Sequence, residues 1–142
     1  MKEIPLTKGS VFLQEGLIHR TKNGRAVRSK SEVIIGNELT NAGILWEYEA
    51  PLTLNGRTRY PDFTIEDDVS GRTYYWEHLG LLHRDDYKQG WEVKLAWYET
   101  NGVLRPETGA GEKGTLIITR DQPNGGLDTA AIEIAIKQIS GQ

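Results

Sequence analysis

The sequence predicts an α/β domain, a mixed central β-sheet with helices on its faces and a β-hairpin ahead of it. Two segments carry apolar stripes at helical spacing behind good N-cap residues, and a longer helical segment lies between them. Three strand-like segments after the first helix are separated only by short turns, which makes them an antiparallel meander. A fourth apolar strand follows the long helix, so the sheet has helices to pack on both sides.

Each element has a local cause. Residues 10–28 read as a hairpin, with apolar Val11-Phe12-Leu13 and Leu17-Ile18-His19 and the turn dipeptide Asn23-Gly24. Ser29-Lys30-Ser31-Glu32 fits a capping box with Ser29 as N-cap. The stripe Ile35, Leu39, Ala42 continues that helix, and Asn41 and Gly43 end it. The strands are Leu45–Pro51, Arg57–Glu66 and Arg72–Leu79, joined through Asn55-Gly56 and Asp67-Asp68-Val69-Ser70-Gly71. A long helix is expected from Asp85 to Thr100, stopped by Asn101-Gly102. Residues 105–114 read as a loop and Thr115–Thr119 as the fourth strand. Asp128 caps a last helix with the stripe Ile132, Ile136, Ile139.

At 142 residues the chain is one domain by length, with residues 1–28 as an N-terminal extension and 29–142 as the core. Hydrophobic residues are 37% and charged residues 26%, an ordinary globular balance. Seventeen Lys and Arg against twenty Asp and Glu give a net charge of −3, which excludes a whole-surface basic field and leaves room for a local one. Cysteine is absent, so disulfides, thiolate metal sites and cysteine nucleophiles are excluded together. With no apolar run near the roughly 18 residues of a membrane helix and no secretory stretch at the start, the expected setting is cytoplasmic, away from membranes.

The meander is where polar residues break the apolar pattern. Alternation puts Phe63 and Ile65 on one face of their strand and Asp62 and Thr64 on the other. In the next strand Tyr75, Glu77 and Leu79 share a face, and Tyr74, Trp76 and His78 take the opposite one. Glu77 is thus a carboxylate in an aromatic and aliphatic strand, costly to bury unless paired, protonated or on a metal. A salt bridge to Arg57, Arg59 or Arg72 is one resolution. If the two strands pair, Asp62 and Glu77 meet near one sheet edge. Two like charges there call for a cation, and all-oxygen ligands favour Mg²⁺ or Mn²⁺.

The order helix, Pro61-Asp62, then Glu77 fifteen residues on, then helix resembles the PD-(D/E)XK nuclease superfamily. The strings Ser-Lys-Ser-Glu (29–32), Pro-Asp-Phe-Thr-Ile (61–65), Tyr-Trp-Glu-His-Leu-Gly (75–80) and Trp-x-x-Lys-Leu-x-Trp-Tyr-x-x-Asn-Gly (91–102) resemble small nuclease-like domains that stand alone or are appended to DNA helicases. The resemblance covers residues 28–135 and implies a restriction-endonuclease-like αβββαβ core. It implies metal ligation by Asp62 and Glu77, by the backbone carbonyl of His78, and directly or through water by Glu32, with Glu38 as the fallback helix acid. The family's lysine falls on residue 79, which is leucine. Lys94, on the same helical face as Trp91, is the substitute by migration; His78 and Lys30 rank behind it. A lysine in an aromatic stripe can equally extend to the rim.

The implied activity is metal-dependent hydrolysis of DNA phosphodiester bonds. Arg20, Lys22, Arg25, Arg28, Lys30, Arg57 and Arg59 are the expected phosphate contacts, the first five in or beside the hairpin. A homodimer would let a small nuclease address both strands. The alternatives are a nuclease-fold module that binds nucleic acid or a protein without cutting, motivated by Leu79, and a structural subunit of a larger machine.

Overall fold

The structure, a computed structural model, describes residues 17, 19–80 and 84–141. Strands β1 (His19–Arg20) and β2 (Ala26–Val27) pair antiparallel around the Asn23-Gly24 turn. The expected hairpin is therefore present over 19–27; its Val11-Phe12-Leu13 arm and Ile18 lie outside the described residues. Helix α1 (Lys30–Asn41) begins as the capping box predicts, with the Glu32 amide donating to Ser29 Oγ at 3.2 Å.

A five-stranded sheet follows, built from β3 (Glu47–Tyr48), β6 (Phe63–Glu66), β7 (Thr73–Leu79), β9 (Gly114–Arg120) and β8 (Val103–Leu104), in that spatial order. Strands β3, β6 and β7 are the antiparallel meander. Strands β7, β9 and β8 run parallel, connected through α2 (Asp85–Thr100). The sheet is mixed, as expected. Helix α3 (Thr129–Ser140) closes the chain behind its Asp128 cap, whose carboxylate accepts from the Ala131 amide.

Three details differ from the expectation, the first being that the predicted strand Leu45–Pro51 is only β3 (Glu47–Tyr48), while Leu52–Leu54 beyond it form a strand of their own next to the Asn55-Gly56 turn. The predicted strand Arg57–Glu66 is two strands. Its first half, β5 (Arg57–Arg59), pairs with β4 (Leu52–Leu54) in a separate ribbon. Asn55 and Gly56, at φ 52° and 80°, turn that ribbon with both central residues in the left-handed region. The break falls at Tyr60-Pro61-Asp62, because proline cannot donate to a ladder. The predicted loop 105–114 follows the short strand β8 and contains a 3₁₀ turn over Pro106–Thr108.

Alternation along β7 divides the core. On one face Tyr74 and Trp76 pack with Phe63 and Ile65, with Ile35 and Leu39 of α1, and with Ile132, Ala135 and Ile139 of α3. On the other, Tyr75 packs with Leu116, Tyr98 and Val103, flanked by Trp91 and Leu95 of α2 and Leu52 and Leu54 of the ribbon. The result is three layers, α1 and α3, then the sheet, then α2 with the ribbon. Among the described residues no helix is long and apolar enough to cross a membrane.

Helix α1 approaches Trp46 so closely that residue 36 has no room for a side chain. A Cβ there would stand 2.9 Å from Trp46 Cζ2 and 3.0 Å from Thr21 Cγ2. Alanine gains about 1 kcal/mol of helix propensity over glycine, whereas overpacking a filled site costs about 1–3 kcal/mol. Gly36→Ala is therefore expected to lose about 1 kcal/mol net. Urea unfolding followed by tryptophan fluorescence checks this, and a stabilised variant would contradict the packing.

Candidate active site

The site forms where the β6–β7 ladder stops. Phe63 pairs with Trp76, so the same register sets Asp62 opposite Glu77 and Pro61 opposite His78. A hydrogen-bonded pair exchanges two N–H···O bonds. Pro61 has no N–H to return to the His78 carbonyl. The His78 amide donates to Asp62 Oδ2 at 2.8 Å, a side chain in place of a ladder carbonyl. The Asp62 carbonyl faces the other neighbour and accepts from the Glu49 amide at 3.1 Å. Asp62 is only 2% exposed and Glu77 only 3%. By alternation both carboxylates project to the α2 side of the sheet.

Helix α2 meets them there. Lys94 Nζ lies 2.6 Å from Glu77 Oε2 and donates to the Tyr60 carbonyl at 3.2 Å. Lys94 thus points inward, against the rim-directed alternative, and ties α2 to both strands. One helical turn on, the Tyr98 hydroxyl donates to the same Oε2 at 2.5 Å. Burial, then the Glu77 charge, hold the Tyr98 phenol well above its ordinary value. Leu79, where the family's lysine would stand, is buried.

Glu32 approaches from the first turn of α1. It is buried, and its Oε1 accepts from Ser29 Oγ at 3.1 Å and from the Tyr48 hydroxyl at 3.0 Å. Tyr87, at the start of α2, feels both Glu32 and Glu77. Burial raises the Tyr87 phenol, and Glu77, Glu32 and Asp121 raise it further. Glu38 is exposed and borders a groove with Glu133 and Lys137 of α3, away from this cluster.

His78 turns its ring to the opposite face, as alternation requires. Nδ1 lies 2.8 Å from Thr119 Oγ1, and Nε2 lies 2.8 Å from Asp121 Oδ1. His78 is thus turned away from Glu77, and Lys30 is exposed at the start of α1, so Lys94 is the cation on that carboxylate among these three.

The seven expected phosphate contacts separate into two groups. Arg20, Lys22, Lys30 and Arg57 are exposed. Arg25 is half-buried, with its guanidinium 4.5 Å from the centre of the Trp46 ring and 3.8 Å from Glu47. Arg28 pairs with buried Glu49 at 2.9 Å. Burial pulls its guanidinium down, and the Glu49 carboxylate outweighs that and raises it. Arg59 is buried and lies 5.5 Å over the Trp97 ring. Arg28 and Arg59 thus have partners within the fold around the site.

Tyr98, Tyr87, Asp121 and Glu49 are site residues the sequence reading did not single out. Tyr98 had a signal, since it lies four residues after Lys94 and shares its helical face. Glu49 adopts φ 51°, a left-handed conformation that costs a non-glycine residue about 1 kcal/mol, beside the Asp62 carbonyl.

Among the described residues no three His, Cys, Asp or Glu side chains stand together as a ready ion-binding group. What converges is two carboxylates on neighbouring strands and the carbonyl side of His78. These are hard oxygen donors of the kind that suit Mg²⁺, which is commonly held by one or two carboxylates, waters and substrate phosphates.

No family model matches the chain. An uncharacterized protein of Methanocaldococcus jannaschii is 31% identical over 109 aligned residues, covering 71% of this chain and 9% of that protein. The chain thus spans about a tenth of that relative's length.

The buried contacts make two stability predictions. Lys94→Met removes a cation 2.6 Å from a buried carboxylate, which should cost about 3 kcal/mol; the double variant Lys94→Met/Glu77→Gln should recover most of it. Urea titrations of the four proteins measure the coupling, and additive losses would contradict a direct pair. Tyr98 is held protonated in the fold and ionises near 10 when unfolded. A raised folded value gives stability that is present below pH 10 and lost as the pH rises above it. Tyr98→Phe should flatten that decline by about 1.4 kcal/mol per pH unit, read from unfolding curves between pH 8 and 11.

Proposed function

We propose that the chain is a divalent-metal-dependent nuclease that hydrolyses DNA phosphodiester bonds, with a restriction-endonuclease-like core formed by α1, β3, β6, β7, α2 and β9. The observation that carries this reading is the meeting of Lys94 with Glu77 beside Asp62, at the point where Pro61 ends the ladder. An acid pair with a lysine is the functional set of the family the sequence resembles, and here the lysine comes from α2 in place of residue 79.

Asp62 and Glu77 would hold Mg²⁺ or Mn²⁺, with the His78 carbonyl as a third oxygen. When bound, such an ion lowers the pKa of a water and offsets charge on the phosphate. The chain's own groups supply the rest. Lys94 stands where its ammonium can orient a water or stabilise charge growing on the phosphate oxygens. The Tyr98 hydroxyl fixes the rotamer of Glu77. Glu32, held by Ser29 and Tyr48, would add negative potential from the helix side and could reach the ion through water. Of the seven expected contacts, Arg20, Lys22, Lys30 and Arg57 are exposed, and they would meet the backbone without regard to sequence and with strong salt dependence.

Leu79 favours a second reading, a nuclease-fold module that binds nucleic acid or a protein partner and does not cut. A plasmid cleavage assay separates the two. Nicking or linearisation with Mg²⁺ or Mn²⁺, abolished by EDTA, by Asp62→Asn and by Glu77→Gln, is the expected result. Lys94→Ala should lower the rate by about 10²-fold or more. Intact plasmid in every lane, with DNA retained in a gel shift, supports the binding module instead.

A further inference from the structure

We propose that Asp121 is a positioning residue for Asp62, acting through the imidazole of His78. The proposal takes its functional meaning from Asp62 as an ion ligand, and its structural content stands on contacts alone.

The proton positions follow from the partners. The Trp76 indole can only donate, and it does so to Thr119 Oγ1 at 2.8 Å. The single hydroxyl proton of Thr119 is then available to His78 Nδ1, 2.8 Å away. That leaves His78 with its proton on Nε2, which donates to Asp121 Oδ1 at 2.8 Å. Ser31 Oγ, from the first turn of α1, donates to the same oxygen at 3.0 Å. The chain Trp76, Thr119, His78, Asp121 runs in one direction and ends on a carboxylate. Each donor has an acceptor, and the imidazole is held at both nitrogens.

A ring held at both ends cannot rotate without breaking two buried hydrogen bonds. The His78 backbone is paired with Thr119 on the β9 side, and on the β6 side it lies past the end of the ladder, opposite Pro61. Its amide holds Asp62 Oδ2, and its carbonyl is the third oxygen of the proposed ion site. Asp121, itself fixed by its amide donating to the Leu79 carbonyl at 2.8 Å, therefore sets from β9 and α1 what the ladder would otherwise set from β6. Gly80 leaves space for this, since a Cβ there would stand 3.2 Å from Asp121 Oδ2.

The test uses the full chain and two readouts. Amide hydrogen exchange by NMR follows the His78 amide, with the Tyr75 amide as an internal reference for general loosening. Calorimetric titration with Mn²⁺ alone follows the ion. Asp121→Ala should speed His78 exchange at least tenfold relative to Tyr75 and weaken Mn²⁺ binding by roughly 10–100-fold. Asp121→Asn keeps an oxygen that accepts from Nε2–H and should restore both. Unchanged His78 exchange in Asp121→Ala overturns the proposal. So does an Asn variant as impaired as Ala, which would make the charge and not the hydrogen bond decisive. If Asp121→Ala does not fold, Ser31→Ala serves in its place, with a smaller acceleration of about threefold expected and none overturning it. A wild-type protein that takes up no Mn²⁺ defeats the metal reading; the exchange data then decide the Asp121–Asp62 link by themselves.

Discussion

Pro61 has no amide hydrogen, and the β6–β7 ladder cannot continue through it. The consequences spread outward. The His78 carbonyl loses the donor that a residue other than proline would offer, and the His78 amide goes to the Asp62 carboxylate. The His78 carbonyl is left facing the same side. Asp62 and Glu77, cross-strand neighbours one step inside the break, share the face that α2 covers. A ladder that ran on would have consumed the same backbone groups in regular pairing. The interruption turns a strand end into a cluster of oxygen donors.

Burial gives that cluster its character. A carboxylate as enclosed as Glu77 is stable only with close partners, and Lys94 and Tyr98 supply two on a single oxygen. Such a pair contributes little net stability, because both charges leave water. Its effect is on geometry, since the low dielectric makes misalignment expensive. Glu32 is held in the same manner by Ser29 and Tyr48. Hydroxyls and an ammonium thus hold Glu77 and Glu32, Arg28 pairs with Glu49 beside the Asp62 carbonyl, and buried Arg59 acts on the Tyr98 phenol.

Much of this was legible in the sequence because it is local. The Ser29–Glu32 capping box, the turn dipeptides and the alternation in 73–79 specify α1, the ribbon turn and the two faces of β7. The opposite directions of Glu77 and His78 follow from a period of two. What escaped is non-local or small. Pro61 within 57–66 signals a break, and reading through it merged β5 with β6. Strand β8 has two residues and leaves no periodic trace. Arg28 and Arg59 read as surface cations, since nothing near them in the chain announces Glu49 twenty-one residues away or the Trp97 ring. Tyr98 shares the helical face of Lys94 but reads as a packing residue, and Asp121 follows its strand without any pattern to mark it.

The lysine and the tyrosine that grip Glu77 both come from α2, which lies between β7 and β9 in the chain. The two acids come from strands that pair without it. The carboxylates can therefore be brought side by side by the meander alone, but their partners arrive only when the crossover helix docks. Whatever lifts that one helix, through proteolytic nicking near its ends or fraying from its first turn, withdraws the cation and the hydroxyl together. The core beneath α1 and α3 would stay in place while the chemistry above it is dismantled.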